Sequence, residues 1–424
     1  MRLNEKLERF KKTFGPGLLF ATTAVGVSHL IQSTRAGAEF GFLLIGVVIL
    51  ANLFKYPFFE FSSRYSNITG TSIIDGYQRL GKHILVLYLI ITIASMFIIT
   101  AAVGTVTAGF FENLFHVEFL GVWSLVILFV ICIIVLVSGK FGIFDGLIKI
   151  ISTIMVVSTT VAFVVALHNG PAANVELFNA PEIFTQHGIL FLIALMGWMP
   201  MPVDISSWHS LWTLERIKQT KFRPNLKETL LDFNIGYLIT SILAVFFVIL
   251  GAYIFFGSSE ILPNNNSLFA DRVVTLYTET IGSWSYLIIA AAAFSVMLGT
   301  IIAVFDGYSR SIIRITQLLR VETVNAVKPE SKSKKIYIII LILLAAGSLI
   351  IVTLFGDRFK EMVDFATIVS FLIAPVIAIF NYRLVTGKYF AKEYHPPRWL
   401  KGLGITGILF LTGFAAFFII TRFQ

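Results

Sequence analysis

Polar residues interrupt the first long apolar stretch of the chain at positions where they could bind a ligand. Within "FATTAVGVSHLIQSTRAGAEFG", residues 20–41, Ser28, His29 and Gln32 stand where an unbroken membrane helix would carry apolar side chains. Gly26 interrupts the same stretch. A hydroxyl, an imidazole and an amide can bind a metal ion or the polar groups of a small solute.

A second interruption lies in "LIALMGWMPMPVDISSWHSLW", residues 192–212. Pro200 and Pro202 each remove a backbone donor and clash with the preceding helical turn. A carboxylate such as Asp204 costs about 2.5–3.5 kcal/mol in the middle of a span, so it normally faces a cavity or a partner. The two interruptions supply the candidate substrate-binding residues, which are Gly26, Ser28, His29, Gln32, Met199, Met201, Asp204, Ser206 and Ser207. Among them, His29, Asp204 and Met199 form a chemically plausible set of transition-metal ligands.

The composition indicates that these stretches lie in a membrane. The chain is 57% hydrophobic and 13% charged, whereas soluble proteins average about 25% charged residues. A spanning helix needs roughly 20 apolar residues. Eleven segments of the sequence qualify, near 15–38, 41–62, 83–111, 119–138, 143–167, 187–212, 230–256, 284–306, 335–354, 362–382 and 400–421.

The distribution of basic residues predicts the orientation of these spans. Lys and Arg concentrate in the connections that lie inside if the N-terminus is cytoplasmic, notably 216–227, 310–335 and 383–401. The chain would then lie in an inner membrane with its C-terminus outside. The basic connections also account for the net charge of +9, so binding to nucleic acid is not needed to explain it. Within the connection 257–283, the turn-rich polar patch "LPNNNS" is expected to be a surface loop. No soluble domain is evident, so residues 1–424 form one transmembrane domain with the lipid bilayer as its surroundings.

The two interruptions are five spans apart, and this spacing favours a transporter. Broken helices at matching positions in two halves are typical of inverted-repeat transporters with a substrate site at the midplane. The repeats would cover 1–168 and 187–382, followed by an extra helix at 400–421. We expect residues 25–29 and 200–204 to be non-helical and to face each other. No catalytic motif suggests an enzyme, and no cofactor is implied.

Some of these residues also have structural interpretations. Gly26 and Ser28 could simply let helices pack closely, and His29 could be a hydrogen-bonded core residue. Arg35 and Glu39 are four residues apart, so we interpret them as a pair on one helical face.

At these residues the chain resembles the NRAMP metal transporters. The stretch "GPGLLFATTAVGVSHLIQSTRAGAEFG" is similar to the first span of that family, which opens with Gly-Pro-Gly. Further similarity lies in "GTVTAGFFENLF", in the pair His209 and Ser210, and in "AVFDGYSRSIIR". The resemblance implies an all-α fold of the LeuT type, with eleven helices in a 5+5 inverted repeat and helices 1 and 6 broken. It also implies alternating access and a divalent metal ion as the substrate.

The sequence departs from the family where the metal should bind. The family's Asp-Pro-Gly-Asn signature aligns with Gly26, Val27, Ser28 and His29. Its Met-Pro-His motif aligns with "MPM" at 199–201, or with "MPV" one step later, so the His is missing. The alternative is therefore a small organic solute such as an amino acid, packed against Trp198, Trp208 and Trp212.

The family's proton route is also missing. Its acidic residues in span three align with Ala101 and Gly104, and a Gln of span ten aligns with Ile373. His29 is the one histidine at a break that could titrate near neutral pH. We therefore expect transport that is uncoupled from protons, or coupled to Na⁺ with Ser295 and Thr300 as candidate donors.

Overall fold

The computed structural model describes residues 15–138, 141–171, 182–257, 262–320 and 333–423. In these residues the regular structure is helical, with no strand. A π-helix at Ser28–Ser33 follows the first helix. In chain order the α-helices are α1 Pro16–Ala24, α2 Thr34–Phe40, α3 Ile45–Thr69, α4 Ile73–Leu80, α5 Lys82–Phe115, α6 Val122–Ser138, α7 Phe141–Asn169, α8 Gln186–Trp198, α9 Ser206–Thr220, α10 Leu226–Phe255, α11 Asn266–Ile281, α12 Tyr286–Leu319, α13 Ser333–Phe355, α14 Phe359–Thr386 and α15 Arg398–Phe423.

The long helices follow the spans predicted from hydropathy. Within the described residues, eight helices are long and apolar enough to cross a membrane, with α8 and α9 counted as one. Helix α6 and the apolar part of α7 are shorter. The first predicted span is divided into α1, the π-helix and α2. The molecule is therefore a multi-pass membrane protein, and the regular structure of its described residues is helical, as expected.

Two shorter helices lie in connections between the predicted spans. Helix α4 starts with a capping box, in which the Ser72 hydroxyl accepts from the Asp75 backbone and the Asp75 carboxylate accepts from the Ser72 backbone. In the connection 257–283, the patch "LPNNNS" that was expected to be a surface loop is non-helical over residues 262–265, and α11 begins at its last two residues. One face of α11 is buried, including Phe269 and Tyr277, because its apolar residues recur at helical spacing.

At the end of the bundle where α1 begins, polar contacts join the helices. The Asp232 carboxylate of α10 accepts hydrogen bonds from the backbone of Gly15 at 3.2 Å and Gly17 at 2.7 Å. These contacts fix the positive end of α1 against α10. At the same end, Arg314 of α12 forms an ion pair with Asp75 of α4.

The opposite end of the bundle contains an open vestibule of about 1150 Å³. Four carboxylates line this vestibule, and they belong to Glu39, Glu182, Glu361 and Asp364. Below it, the Arg35 guanidinium donates to Asp364 at 2.7 Å and to Glu39 at 3.2 Å. The expected pairing of Arg35 with Glu39 is thus confirmed, and Asp364 of α14 is an additional partner across the bundle.

Candidate functional site

The first break lies directly after α1. The helix ends at Ala24, and Val25 and Gly26 are non-helical. Ser28 and His29, which were expected to be non-helical, instead begin the π-helix. Single π-helical turns are frequent at functional sites because they redirect side chains. The break is therefore shorter than predicted but lies at the predicted place.

The second break separates α8 from α9. Helix α8 ends at Trp198, residues 199–202 are non-helical, and a short 3₁₀ turn spans Val203–Ile205. The prolines at 200 and 202 explain this interruption, because neither can donate to a helical carbonyl. The break leaves the last carbonyls of α8 without partners in their own helix.

The two breaks meet in the interior, as the sequence predicted. The Ser28 hydroxyl lies 3.0 Å from the Pro200 carbonyl oxygen. A cavity of about 30 Å³ lies between the breaks. It is lined by Thr23, Ala24, Val27, Ser28, Ile99, Val103, Trp198, Met201, Pro202, Ile205, Thr300 and Val304.

Gly26 allows the first break to approach α12 closely. A Cβ atom at this position would lie 2.9 Å from the Thr300 hydroxyl oxygen and 3.0 Å from its methyl carbon. Such contacts are too short for a real side chain, so one of the two elements would have to move. The Thr300 hydroxyl donates to Val296 at 3.0 Å within α12.

The Ser28 hydroxyl has one proton and three possible acceptors. They are the carbonyl oxygen of Ala24 at 2.7 Å, that of Pro200 at 3.0 Å and Nδ1 of His29 at 2.8 Å. A hydroxyl with several acceptors can switch partners at little cost. The Ser28 hydroxyl can therefore exchange one acceptor for another without changing position.

His29 is directed away from the cavity. Its ring is fully buried, Nε2 lies 2.9 Å from the Thr240 carbonyl of α10, and Nδ1 lies beside Ser28. The ring also packs edge-on against Phe247. Both nitrogens have protein partners, which matches the alternative interpretation of a hydrogen-bonded core histidine.

Asp204 is buried in the second break and has an oxygen atom without a partner. Among the described residues, Oδ1 of Asp204 makes no hydrogen bond although it is shielded from solvent. The carboxylate interacts electrostatically with Lys55 of α3 and with Tyr77 and Tyr88. An unsatisfied buried carboxylate oxygen is costly, and a cation or a proton is what would stabilise it.

The two methionines have different surroundings. Met201 lines the cavity. Met199 packs in an apolar cluster that includes Phe191 and Val203. The predicted ligand set of His29, Asp204 and Met199 is therefore not gathered around one point, because the backbone directs each side chain to a different neighbour.

Among the predicted residues, Ser28 and Met201 line the cavity, whereas Gly26, Asp204, Gln32, Ser206 and Ser207 lie outside its lining. Gln32 donates to Asp364 at 3.0 Å, in the floor of the vestibule. The Ser206 hydroxyl accepts from Asn381 at 2.9 Å, and the Ser207 hydroxyl lies 2.5 Å from that of Tyr88. These serines belong to a polar cluster on the side of the breaks opposite the vestibule.

Lys55 is the main residue of the site that the sequence analysis missed. Its ammonium donates to the carbonyl oxygens of Met196 at 2.6 Å, Gly197 at 2.8 Å and Met201 at 3.4 Å. The signal was available, since an ionisable residue within a predicted span is a candidate functional residue by itself.

The donor set limits which metal site is possible. Within the described ranges, no group of three His, Cys, Asp or Glu side chains could hold a metal ion. What remains near the breaks is Asp204 Oδ1, the Met201 thioether and backbone carbonyls. Carboxylate and carbonyl oxygens suit ions such as Mn²⁺ or Mg²⁺, and a thioether favours softer metals.

Comparisons with known sequences agree with this architecture. A family model described as natural resistance-associated macrophage protein-like matches residues 17–421. An uncharacterized protein of Pasteurella multocida is 35% identical over 409 residues, which are 96% of this chain and 91% of that protein. The divalent metal cation transporter MntH of Latilactobacillus sakei is 26% identical over 263 residues, which cover 60% of this chain and 57% of that transporter.

Solved structures show the same fold. A crystal structure of the manganese transporter of Eremococcus coleocola has a TM-score of 0.73 at 13% identity, covering 96% of this chain and 85% of that one. The nucleobase-cation-symport-1 family transporter Mhp1, in a closed conformation, has a TM-score of 0.60 at 13% identity, covering 96% of this chain and 93% of that one. Both likenesses support the LeuT-type architecture with broken first and sixth spans.

Proposed function

Since the chain belongs to the natural resistance-associated macrophage protein-like (NRAMP) family, whose members are transporters and not enzymes, we propose that it carries a divalent metal ion across the membrane by alternating access at its two helix breaks. The relatives named MntH and the E. coleocola manganese transporter support this substrate class. The residue exchanges at the family's metal motif make a direct test necessary.

The observation that carries the proposal is the size of the cavity between the breaks. Its volume of about 30 Å³ admits one or two water-sized species, whereas sites for organic ligands measure about 300–1,000 Å³. This small volume favours an ion over the alternative of an amino acid or another organic solute. Of the three candidate tryptophans, only Trp198 lines the cavity; Trp208 packs against Tyr308 and Trp212 donates to Asp306.

Asp204 is the principal metal ligand in this proposal. Its carboxylate lies outside the lining of the cavity, so an ion in the cavity would reach it when the second break rearranges. Its unsatisfied Oδ1 supplies the negative charge, and the carbonyls freed at the breaks supply further oxygen ligands. Met201 fits better than Met199 as a thioether ligand because it lines the cavity. His29 would have to leave Thr240 before it could join this set.

The carboxylates of the vestibule define a path for the ion. Four of them face two basic side chains, Arg35 and Lys360, so the vestibule attracts cations. Access to the breaks requires opening the layer of Gln32, Arg35 and Asp364. Release at the other end requires α1 to leave the Asp232 carboxylate.

The topology is part of the same proposal. We infer a cytoplasmic N-terminus in an inner membrane, because the basic segments gather at one end of the bundle. There, Arg64 donates to the Tyr394 carbonyl, and Arg223 donates to the carbonyl of Asn67. The two inverted repeats at 1–168 and 187–382, with the helix at 400–421 outside them, remain the proposed organisation, with the C-terminus outside.

We also propose, from the residue types in α5, that transport is not coupled to protons. The position of Gly104 in α5 has no room for an acidic side chain, since a Cβ atom there would lie 2.7 Å from the Phe129 ring. We therefore expect transport that does not use the family's proton route. Na⁺ coupling is the alternative, and of its two candidate donors Thr300 lines the cavity whereas Ser295 is not among the lining residues.

A binding titration tests the proposed substrate class. Purified protein is titrated with Mn²⁺, with Mg²⁺ and with a panel of amino acids by calorimetry. Saturable heat with a divalent ion and none with the amino acids supports the proposal. Saturable binding of an amino acid without any divalent ion would contradict it. The variant Glu39→Gln, which removes a vestibule carboxylate away from the breaks, serves as the control that should keep the binding.

A further inference from the structure

We infer that Lys55 is a tethered cation, which permanently occupies the cation position at the carboxyl end of α8. Lys55 comes from the middle of α3 and its side chain is fully buried. The inference goes beyond the proposed function, since it concerns the second break itself and holds whichever substrate is carried.

The first argument is the match between donors and acceptors. An ammonium group has three N–H donors and no acceptor. The structure places three carbonyl oxygens around it, those of Met196, Gly197 and Met201. All three belong to α8 or to the non-helical segment after it. The ammonium is therefore held by backbone atoms of the break itself.

The second argument is the origin of these carbonyls. Met196 and Gly197 lie in the last turn of α8, where the carbonyls have no partner within the helix. The same turn carries the negative end of the helix dipole. Discontinuous membrane helices commonly use such carbonyl ends to coordinate free Na⁺ or a proton. Here a side chain from a neighbouring helix supplies the positive charge.

The third argument is the charge balance. Asp204 lies in the same break, and its carboxylate interacts electrostatically with Lys55. With the lysine present, the pair carries no net charge. Without the lysine, the break would retain a buried carboxylate and three freed carbonyl oxygens with no positive charge to offset them, which is strongly unfavourable.

The consequence concerns what the transporter needs from solution. A free monovalent cation that held the broken helix together would have to bind and leave in each transport cycle. Lys55 cannot leave, so the end of α8 stays fixed to α3 without any free ion at this position. Because Lys55 offsets the charge of Asp204, a divalent ion at the break would depend on the freed carbonyl oxygens as well as on the Asp204 carboxylate.

Removing the Lys55 ammonium should make the stability of the protein depend on a free cation at this position. Full-length Lys55→Met is purified in detergent, and its thermal stability is compared in NaCl and in choline chloride at equal ionic strength, with no divalent ion present. We expect its Tm to fall by about 5 °C or more in choline chloride relative to wild type. We expect NaCl to restore at least half of that loss, while the wild-type Tm differs little between the two salts.

Two further variants make the outcome specific. Lys360→Met removes a lysine that also donates to a carbonyl, that of Leu262 at 3.0 Å, but at the edge of the vestibule; it should gain no Na⁺ dependence. The double variant Lys55→Met/Asp204→Asn removes both charges and should lose the response to Na⁺. If Lys55→Met cannot be purified in choline chloride, the yield of monodisperse protein is measured in NaCl and in choline chloride instead of the Tm. A higher yield in NaCl then supports the inference.

Three results would overturn the inference. The first is a Lys55→Met protein equally stable in both salts. The second is a gain of Tm in NaCl that is the same for Lys55→Met and Lys360→Met. The third is a gain of Tm in NaCl that persists in the double variant. Because no divalent metal is used, failure here leaves the proposed metal transport untouched. Conversely, a lack of Mn²⁺ binding would leave this result standing.

Discussion

At the first helix break the freed backbone groups lie beside neutral side chains, whereas at the second they are held by charges. Ser28 shares its hydroxyl among three acceptors, and Gly26 lets the chain touch Thr300. The second break is held by the Lys55 ammonium and contains the Asp204 carboxylate. The backbone groups freed at a helix break are therefore stabilised by neutral hydrogen bonds at the first break and by a charged side chain at the second.

This difference separates two roles. Neutral hydrogen bonds contribute only about 0.5–1.5 kcal/mol each, so the first break can rearrange at small cost. Buried charges cost far more when they lose a partner. We therefore assign movement mainly to the first break and ion recognition mainly to the second.

The largest effect is expected from Asp204→Asn. It removes the one carboxylate of the second break, and with it the charge that attracts a divalent ion. In proteoliposomes we expect Mn²⁺ uptake to fall by more than about 100-fold, since even residues that only orient metal ligands cost 10–100-fold. Monodisperse protein with unchanged elution would show that folding survives. Uptake within a few-fold of wild type would mean that Asp204 is only a structural partner of Lys55.

A smaller effect is expected from Gly26→Ala at the first break. The added methyl group would press against Thr300, so we expect a loss of about 1–3 kcal/mol of stability, as for other overpacked sites. Gly46→Ala is the matched control, because a Cβ atom there meets nothing within 4 Å. The double variant Gly26→Ala/Thr300→Ala should recover part of the loss. Equal stability of Gly26→Ala and Gly46→Ala would contradict the close approach.

Ser28→Ala should have a still smaller effect. It removes one hydroxyl from the neutral break, for which we expect a loss of about 1 kcal/mol. Ser63→Ala, which removes a hydroxyl that bonds only within α3, is the control. Measurement of thermal stability and Mn²⁺ uptake would sharpen the comparison. A loss of uptake as large as that of Asp204→Asn would move ion recognition to the first break.

No effect on proton movement is expected. A relay needs titratable or hydrogen-bonding groups, and α5 offers the methyl group of Ala101 and the packed Gly104 where the family has acids. When liposomes with an internal pH dye take up the substrate, we expect the pH of the lumen to stay unchanged. Stoichiometric acidification that disappears in His29→Ala would show that His29 is a replacement relay.

The sequence predicted the spans and the breaks because both depend on local residue types. Long apolar runs define membrane helices, and two prolines or a glycine among polar residues mark the interruptions. Helix α11 was not predicted because it lacks a span-length apolar run, although its apolar residues recur at helical spacing.

The arrangement of the site was harder to predict. Hydrogen bonds such as those between Lys55 and Met196, or between Arg35 and Asp364, join residues 141 and 329 positions apart. Residue types alone do not tell which distant groups meet. The direction of a side chain was equally hard to predict, since His29 lies in the π-helix and its ring is directed towards Thr240.

The central claim is that the second break recognises the ion, and the position of bound Mn²⁺ tests it most directly. Crystals of the protein grown with Mn²⁺ would give an anomalous difference map that locates the metal. We predict a peak beside the Asp204 carboxylate, between the two breaks and within coordination distance of a freed carbonyl. A peak confined to the vestibule carboxylates around Glu39 and Glu361, with none at the breaks, would contradict the account.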